Sequence, residues 1–146
     1  MTAKEYLSQI KMCRDAIERK RKQCDRMRKH MTYLRGISYD RDKIQTSPKD
    51  SLSETVVAIV QLEQDVEAAI FRYEFLVDRC INMIEGMSKR DHMRVLYARY
   101  VDEKDFETIA CEMHLSYYRV CHIHGEALQE FSKKFPEIEK MTKVSK

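Results

Sequence analysis

Ser88–Phe135, SKRDHMRVLYARYVDEKDFETIACEMHLSYYRVCHIHGEALQEFSKKF, is the stretch whose reading decides the fold. Its spacing predicts three short helices, the last two forming a helix-turn-helix. Asp105 is placed to N-cap one helix, because its carboxylate can accept from the unpaired N–H groups of the first turn. Ser116 is placed to cap the next in the same way. Between the caps, Ile109, Ala110 and Met113 recur at helical spacing, and after Ser116 so do Val120, Ile123, Ala127 and Leu128. Only His114 and Leu115 separate Met113 from Ser116. Two helices with so tight a joint must cross steeply, which is the helix-turn-helix geometry. The joint needs a residue with φ > 0, a place often held by Gly. His tolerates that conformation better than most residues.

Several of these residues carry a resemblance. Arg94-Val95-Leu96 with Arg99-Tyr100, then Phe106-Glu107-Thr108-Ile109-Ala110, then Ser116 with Arg119-Val120, Ile123 and Ala127-Leu128, resembles region 4 of bacterial sigma factors. More narrowly, Ser116-Tyr117-Tyr118-Arg119-Val120 with His122, His124-Gly125 and Ala127-Leu128 looks like a family of small phage and prophage proteins. That family is related to late-gene transcriptional regulators of the ArpU and RinA type. The opening Met1-Thr2-Ala3-Lys4-Glu5-Tyr6-Leu7 and the segment Asp42-Lys43-Ile44-Gln45-Thr46-Ser47-Pro48 also look like it. The resemblance implies a transcriptional regulator that binds double-stranded DNA, acting on late or packaging-module genes in the cytoplasm of a bacterial host. In DNA-binding versions of the motif, the first residues of the second helix reach the major groove. That assigns Ser116, Tyr117, Tyr118, Arg119 and His122 as the DNA-binding set. Ser88 to Lys134 carries eight Lys/Arg and eight Asp/Glu, so nonspecific attraction to phosphate is expected to be modest.

Composition fits a helical chain. The 146 residues are 35% charged and 43% apolar, with three Gly and two Pro, a mix that signals long solvated helices rather than sheet. The net charge of +3 is too small to name a partner. No apolar run approaches the ~20 residues that span a bilayer, so no membrane is expected. Lys4, Glu5, Gln9 and Lys11 interrupt any signal-peptide core. The five cysteines are odd in number with no CxxC pair, and read as reduced thiols of a cytoplasmic protein.

Upstream of Ser88, two heptad seams predict a long antiparallel helical hairpin, a coiled coil over residues 1–87. Tyr6, Ile10, Cys13, Ile17, Lys20, Cys24, Met27, Met31 and Leu34 alternate steps of four and three. This first helix is expected from Ala3 to Arg35, with Gly36 as its C-cap. The second seam is Leu52, Val56, Ile59, Glu63, Val66, Ile70, Tyr73, Val77, Cys80, Ile84 and Met87, widened by Leu62, Ala69, Leu76 and Met83. A connecting loop is expected near 36–50. The first helix carries net +7 and the second, from Ser51 to Met87, net −5, which favours their pairing. If Leu34 faces Leu52, the two polar interruptions Lys20 and Glu63 are expected to meet and fix the register. The whole is read as all-α: hairpin 1–87, helix-turn-helix domain 88–135, and a short flexible tail 136–146.

Arg19-Lys20-Arg21-Lys22 with Arg26, Arg28 and Lys29 reads as a solvated face balanced by the acidic helix. Cys111, His114, Cys121, His122 and His124 match no common zinc module, so no metal or cofactor is expected. Nothing orders a nucleophile beside a base, and no Gly-rich phosphate loop is present, so neither enzyme activity nor a small-molecule substrate is expected. Three functions stay open. One is a transcriptional regulator whose hairpin supplies a homodimer or a contact with RNA polymerase. Another is a DNA-packaging protein resembling small terminase subunits. The third is a helical interaction adaptor without DNA binding.

Overall fold

The computed structural model describes residues 1–38 and 48–140. All regular structure among them is helical. Helix α1 spans Ala3–Ser38, α2 Pro48–Glu85, α3 Arg90–Leu96, α4 Phe106–Met113, α5 Tyr117–Lys134 and α6 Glu137–Lys140. A π-helical turn, Tyr97–Val101, continues directly from α3. The two long helices are in contact as a hairpin-like pair, and the smaller helices pack together.

α1 begins with a reciprocal cap. The Glu5 N–H donates to Thr2 Oγ1 at 3.2 Å, and the Thr2 N–H donates to Glu5 Oε2 at 2.9 Å. Two otherwise unpaired donors are satisfied by one Thr-x-x-Glu pattern. At its far end the helix runs through Gly36 to Ser38, so Gly36 is not its cap. A glycine inside a helix costs about 1 kcal/mol relative to alanine, which weakens the helix without forbidding it. α2 starts at Pro48, where a missing N–H is harmless. The loop expected over 36–50 therefore shrinks from both sides, and positions 42–47 of the Asp42–Pro48 motif lie outside the described residues.

The chain divides into two compact units. One is Arg14–Arg72. Its seam is apolar and narrow, with Ile17, Cys24, Ile59 and Val66 buried. Lys20 does not pair with Glu63 as its position in the seam suggests. Arg28, two turns further along α1, forms that ion pair. The Arg28 and Glu63 side chains remain 55% and 39% exposed, so the pair sits at the rim of the seam. The physical reason is hydration: two charges inside an apolar seam lose their water, whereas at the rim their stems pack and their heads stay wet.

The other unit joins Met1–Cys13 to Tyr73–Lys146. Its larger core takes Ala3, Tyr6, Leu7 and Ile10 from α1 and Cys80, Met83, Ile84 and Met87 from the end of α2 and just beyond. Leu96, Tyr100, Ala127, Phe131 and Ile138 complete it. Residues 137–140, assigned to a tail by the sequence pattern, form α6 and bury Ile138 to 1% exposure. The Met1 ammonium donates to the Glu139 carbonyl at 3.2 Å, closing the same corner. All five cysteines are free. Burial pushes the Cys80 thiol up to about 12, so it packs as an inert small hydrophobe.

Candidate nucleic-acid interface

A second, smaller core lies beneath the joint between α4 and α5. Val95, Ile109, Ala110, Val120 and Ile123 are its buried members, with Ala98, Phe106, Met113 and Leu115 packed around them. The local chemistry that seats the two helices follows the sequence closely. Asp105 caps α4, accepting from the Thr108 N–H at 2.7 Å. A hydrogen bond with the Thr108 side chain first, and this backbone bond second, hold its carboxyl below the ordinary value. Ser116 caps α5, accepting from the Arg119 N–H at 3.2 Å. Between them His114 adopts φ 55° and ψ 41°, the left-handed conformation that the joint requires. Its N–H and that of Leu115 close back on the last turn of α4.

The joint fixes what α5 presents. Val120 and Ile123 face inward at 0% and 3% exposure. Tyr117, Tyr118, Arg119 and His122 lie on the outside, with Tyr118 84% exposed. The five residues assigned from sequence are thus gathered on and just beyond the first turn of an 18-residue helix whose first turn has no acidic side chain. Its amide dipoles leave this end partly positive. Among the described residues, no ion pair engages the Arg119 guanidinium. His122 lies 3.5 Å from Glu126, one turn on, and stays 63% exposed.

Gly125, part of the resemblance but not of the assigned DNA-binding set, also lies on this face. Gly125 follows Tyr118 and His122 at steps of four and three, so the three share a stripe. A Cβ built on Gly125 meets nothing within 4 Å. Packing inside the protein therefore does not require a glycine there. The bare backbone leaves room for another molecule to approach the helix closely.

Behind the exposed face runs a series of aromatic contacts. Tyr118 meets Tyr117 edge-on at 5.9 Å, Tyr117 meets Phe106 at 6.2 Å, and Phe106 meets His124 at 5.1 Å. His124 stacks on Tyr100 of the π-helical turn at 5.8 Å. The Arg99 guanidinium lies 4.9 Å over the Phe106 ring and donates to the Lys104 carbonyl at 2.9 Å. Edge-to-face geometry sets the positive rim of one ring against the negative face of the next, so these contacts orient as well as bury. They tie the position of Tyr117 to a turn nearly twenty residues earlier in the chain.

A second fastening was also invisible in the sequence. His92 of α3 is 4% exposed, with Nδ1 2.6 Å from Glu130 Oε2 and Nε2 3.5 Å from Glu126 Oε2. Glu130 also accepts from the Ser88 N–H at 2.8 Å, and that bond is the largest cause lowering its carboxyl pKa. The arrangement holds α3 against the middle of α5.

The Tyr100 hydroxyl lies 3.0 Å from His124 Nε2. Burial pushes the hydroxyl up to about 12, so it stays protonated and donates. Burial first, then Arg99 and Lys4, lowers the His124 pKa, so the imidazole stays neutral and accepts. The unfolded chain therefore takes up a proton on this histidine before the folded one does. Stability from this source is complete above about 6.5 and is lost as pH falls from there to the lowered value. Thermal melts from pH 8 to 5 are expected to show Tm falling across that window, and His124→Gln, which keeps an acceptor, is expected to flatten the fall. A parent Tm that holds constant from pH 7 to 5 counts against the neutral acceptor.

Among the described residues, no three His, Cys, Asp or Glu side chains converge as metal ligands, and no helix is long and apolar enough to cross a membrane. No protein-family model, curated protein or solved structure matches the chain.

Proposed function

We propose that this chain is a DNA-binding transcriptional regulator of the phage or prophage type, non-enzymatic and acting in the bacterial cytoplasm. In this reading α4 and α5 are a helix-turn-helix like that of sigma region 4, and α5 enters the major groove of duplex DNA. The coiled-coil hairpin supplies a dimer contact or a surface for RNA polymerase. The observation that carries the reading is the outer stripe of α5. An exposed aromatic, an exposed imidazole and a glycine that internal packing does not need follow one another on one face, beside a guanidinium with no ion pair among the described residues.

Each group has a role in that complex. Arg119 contacts a phosphate, or the O6 and N7 edge of a guanine with both guanidinium nitrogens. Tyr117 and Tyr118 pack on sugars or thymine methyls, and their hydroxyls reach phosphates. Ser116 holds the helix start. His122 borders the groove, and Gly125 lets the backbone approach the duplex. The balanced charge of the segment makes the complex depend on fit more than on counterion release.

The test is a salt-titrated binding measurement on promoter fragments from the source genome. Tyr118→Ala and Arg119→Ala are each expected to weaken specific binding by about 1–3 kcal/mol, roughly 5- to 150-fold, with the helical spectrum unchanged. The salt slope is expected to be shallow. Gly125→Gln separates the roles further. It is expected to raise helix stability by several tenths of a kcal/mol, because Gln is the better helix former, while weakening DNA binding by obstructing the approach. A folded Tyr118/Arg119 double-alanine variant that keeps full affinity would move the assignment to a protein-interaction surface. A ring of many subunits in solution would move it to DNA packaging.

A further inference from the structure

The outer face of α2 carries a stripe that the hairpin does not use. Val57, Val60, Gln64, Ala68 and Phe71 follow at steps of three or four, so they lie on one side of the helix. Val57 stands two residues from the buried Ile59, and Gln64 two from the buried Val66, which is about 200° around the helix. The stripe thus faces away from the hairpin seam. Val57, Val60 and Phe71 are 65%, 47% and 72% exposed, and no residue of the stripe is charged. It is about 21 Å long, all within the unit Arg14–Arg72.

We infer that this stripe is a homodimer interface in which α2 packs antiparallel on α2 of a second copy, with the two-fold axis at Gln64. The order of side chains supports self-pairing. Counting outward from Gln64, Val57 and Phe71 lie seven residues away on opposite sides, and Val60 and Ala68 lie four away. An antiparallel copy therefore sets Val57 against Phe71 and Val60 against Ala68, large beside small, twice over. Gln64 meets its own copy on the axis, where each amide has both a donor and an acceptor for the other. A single polar residue in an apolar seam fixes register.

Charge supports the same register. Glu54 and Arg72 are both exposed and lie about five whole turns apart, so they share one flank of the stripe. In an antiparallel pair like flanks face one another. The dimer then sets Glu54 of each copy beside Arg72 of the other, two ion pairs related by the axis. A two-fold contact of this kind is isologous and closes at two subunits, so it makes a dimer and not a filament. The inference goes beyond the DNA-binding reading and stands without it.

Sedimentation velocity of the full chain over a wide concentration range tests it. A concentration-dependent monomer–dimer equilibrium is expected. Phe71→Asp is expected to weaken dimerisation more than about 100-fold, because the symmetric seam receives two unpaired carboxylates. Phe71 is exposed in the single chain, so helicity and Tm of the variant monomer should hold. Glu54→Arg is expected to weaken the dimer about tenfold, and Glu54→Arg with Arg72→Glu to recover most of the loss. In an oxidised Gln64→Cys variant, peptide mapping should find a link from position 64 to position 64. A monomer at every concentration overturns the inference, as does an assembly larger than two. So does a dimer that survives Phe71→Asp, or a dimeric Gln64→Cys variant without the 64–64 link.

Discussion

Val120→Asp is expected to abolish the cooperative melting of the unit that carries α4 and α5. Val120 is 0% exposed and packs with Val95, Ile109, Ala110 and Ile123, none of which offers a hydrogen bond from its side chain. A carboxylate placed there has no partner. Either the site stays dry and the acid must be protonated at a large cost, or water enters and the helices separate. Either route exceeds several kcal/mol against a typical total of 5–15 for a domain. Val120→Ala measures the packing part alone, about 2 kcal/mol. Tyr118→Ala, only two residues away in sequence but 84% exposed, should leave the melt almost unmoved. Urea unfolding followed by circular dichroism separates the three. A Val120→Asp variant that melts within a few degrees of the parent would mean that α5 is not seated on this cluster.

Removing Met1–Cys13 should be nearly as damaging, although this segment lies far along the chain from the helices it supports. Tyr6, Leu7 and Ile10 are 3%, 0% and 1% exposed, and they share one core with Ile84, Leu96 and Phe131. Burying a side chain of this size contributes about 1.5–3 kcal/mol. The three together approach the whole stability of an ordinary domain. The capping box at Thr2 and Glu5 goes with them. The chain 14–146 is therefore expected to show a broad, non-cooperative melt and rapid proteolysis within 88–135. An unchanged Tm and protease pattern would show that the C-terminal helices stand without α1.

What was legible in the sequence was local. The caps Asp105 and Ser116, the left-handed His114 between them and the inward Val120 and Ile123 all follow from spacing and from what single residues tolerate. The apolar seams were legible for the same reason, since a heptad pattern is a property of one helix. Register was not. A seam of similar apolar residues accepts a partner shifted by a turn, and side chains as long as Arg28 and Lys20 reach over that distance, so Glu63 had two candidates. The core shared by Leu7, Ile84 and Phe131 joins residues too distant for any periodicity to connect. No spacing pattern connects His92 to Glu130, because only the fold brings them within hydrogen-bond reach. Thr2-x-x-Glu5 was a readable signature at the start of α1, and Gly125 was readable as an odd glycine inside a helical pattern.

The π-helical turn has a consequence for how the chain tolerates insertions and deletions. Asp102 N–H donates to the Tyr97 carbonyl, five residues back, where an α-helix would reach back four. Such a turn is what a helix becomes when one residue is slipped into it. Losing one residue between Tyr97 and Tyr100 would let the turn relax to ordinary α-helix. It would also swing everything before the deletion about 100° around the axis relative to everything after it. Tyr100 could then remain beside His124 only if Val95 and Leu96 left their cores. The length of this short segment is thus fixed to the residue, while substitutions on its solvent side remain cheap. Related chains would be expected to vary here in letters and not in length.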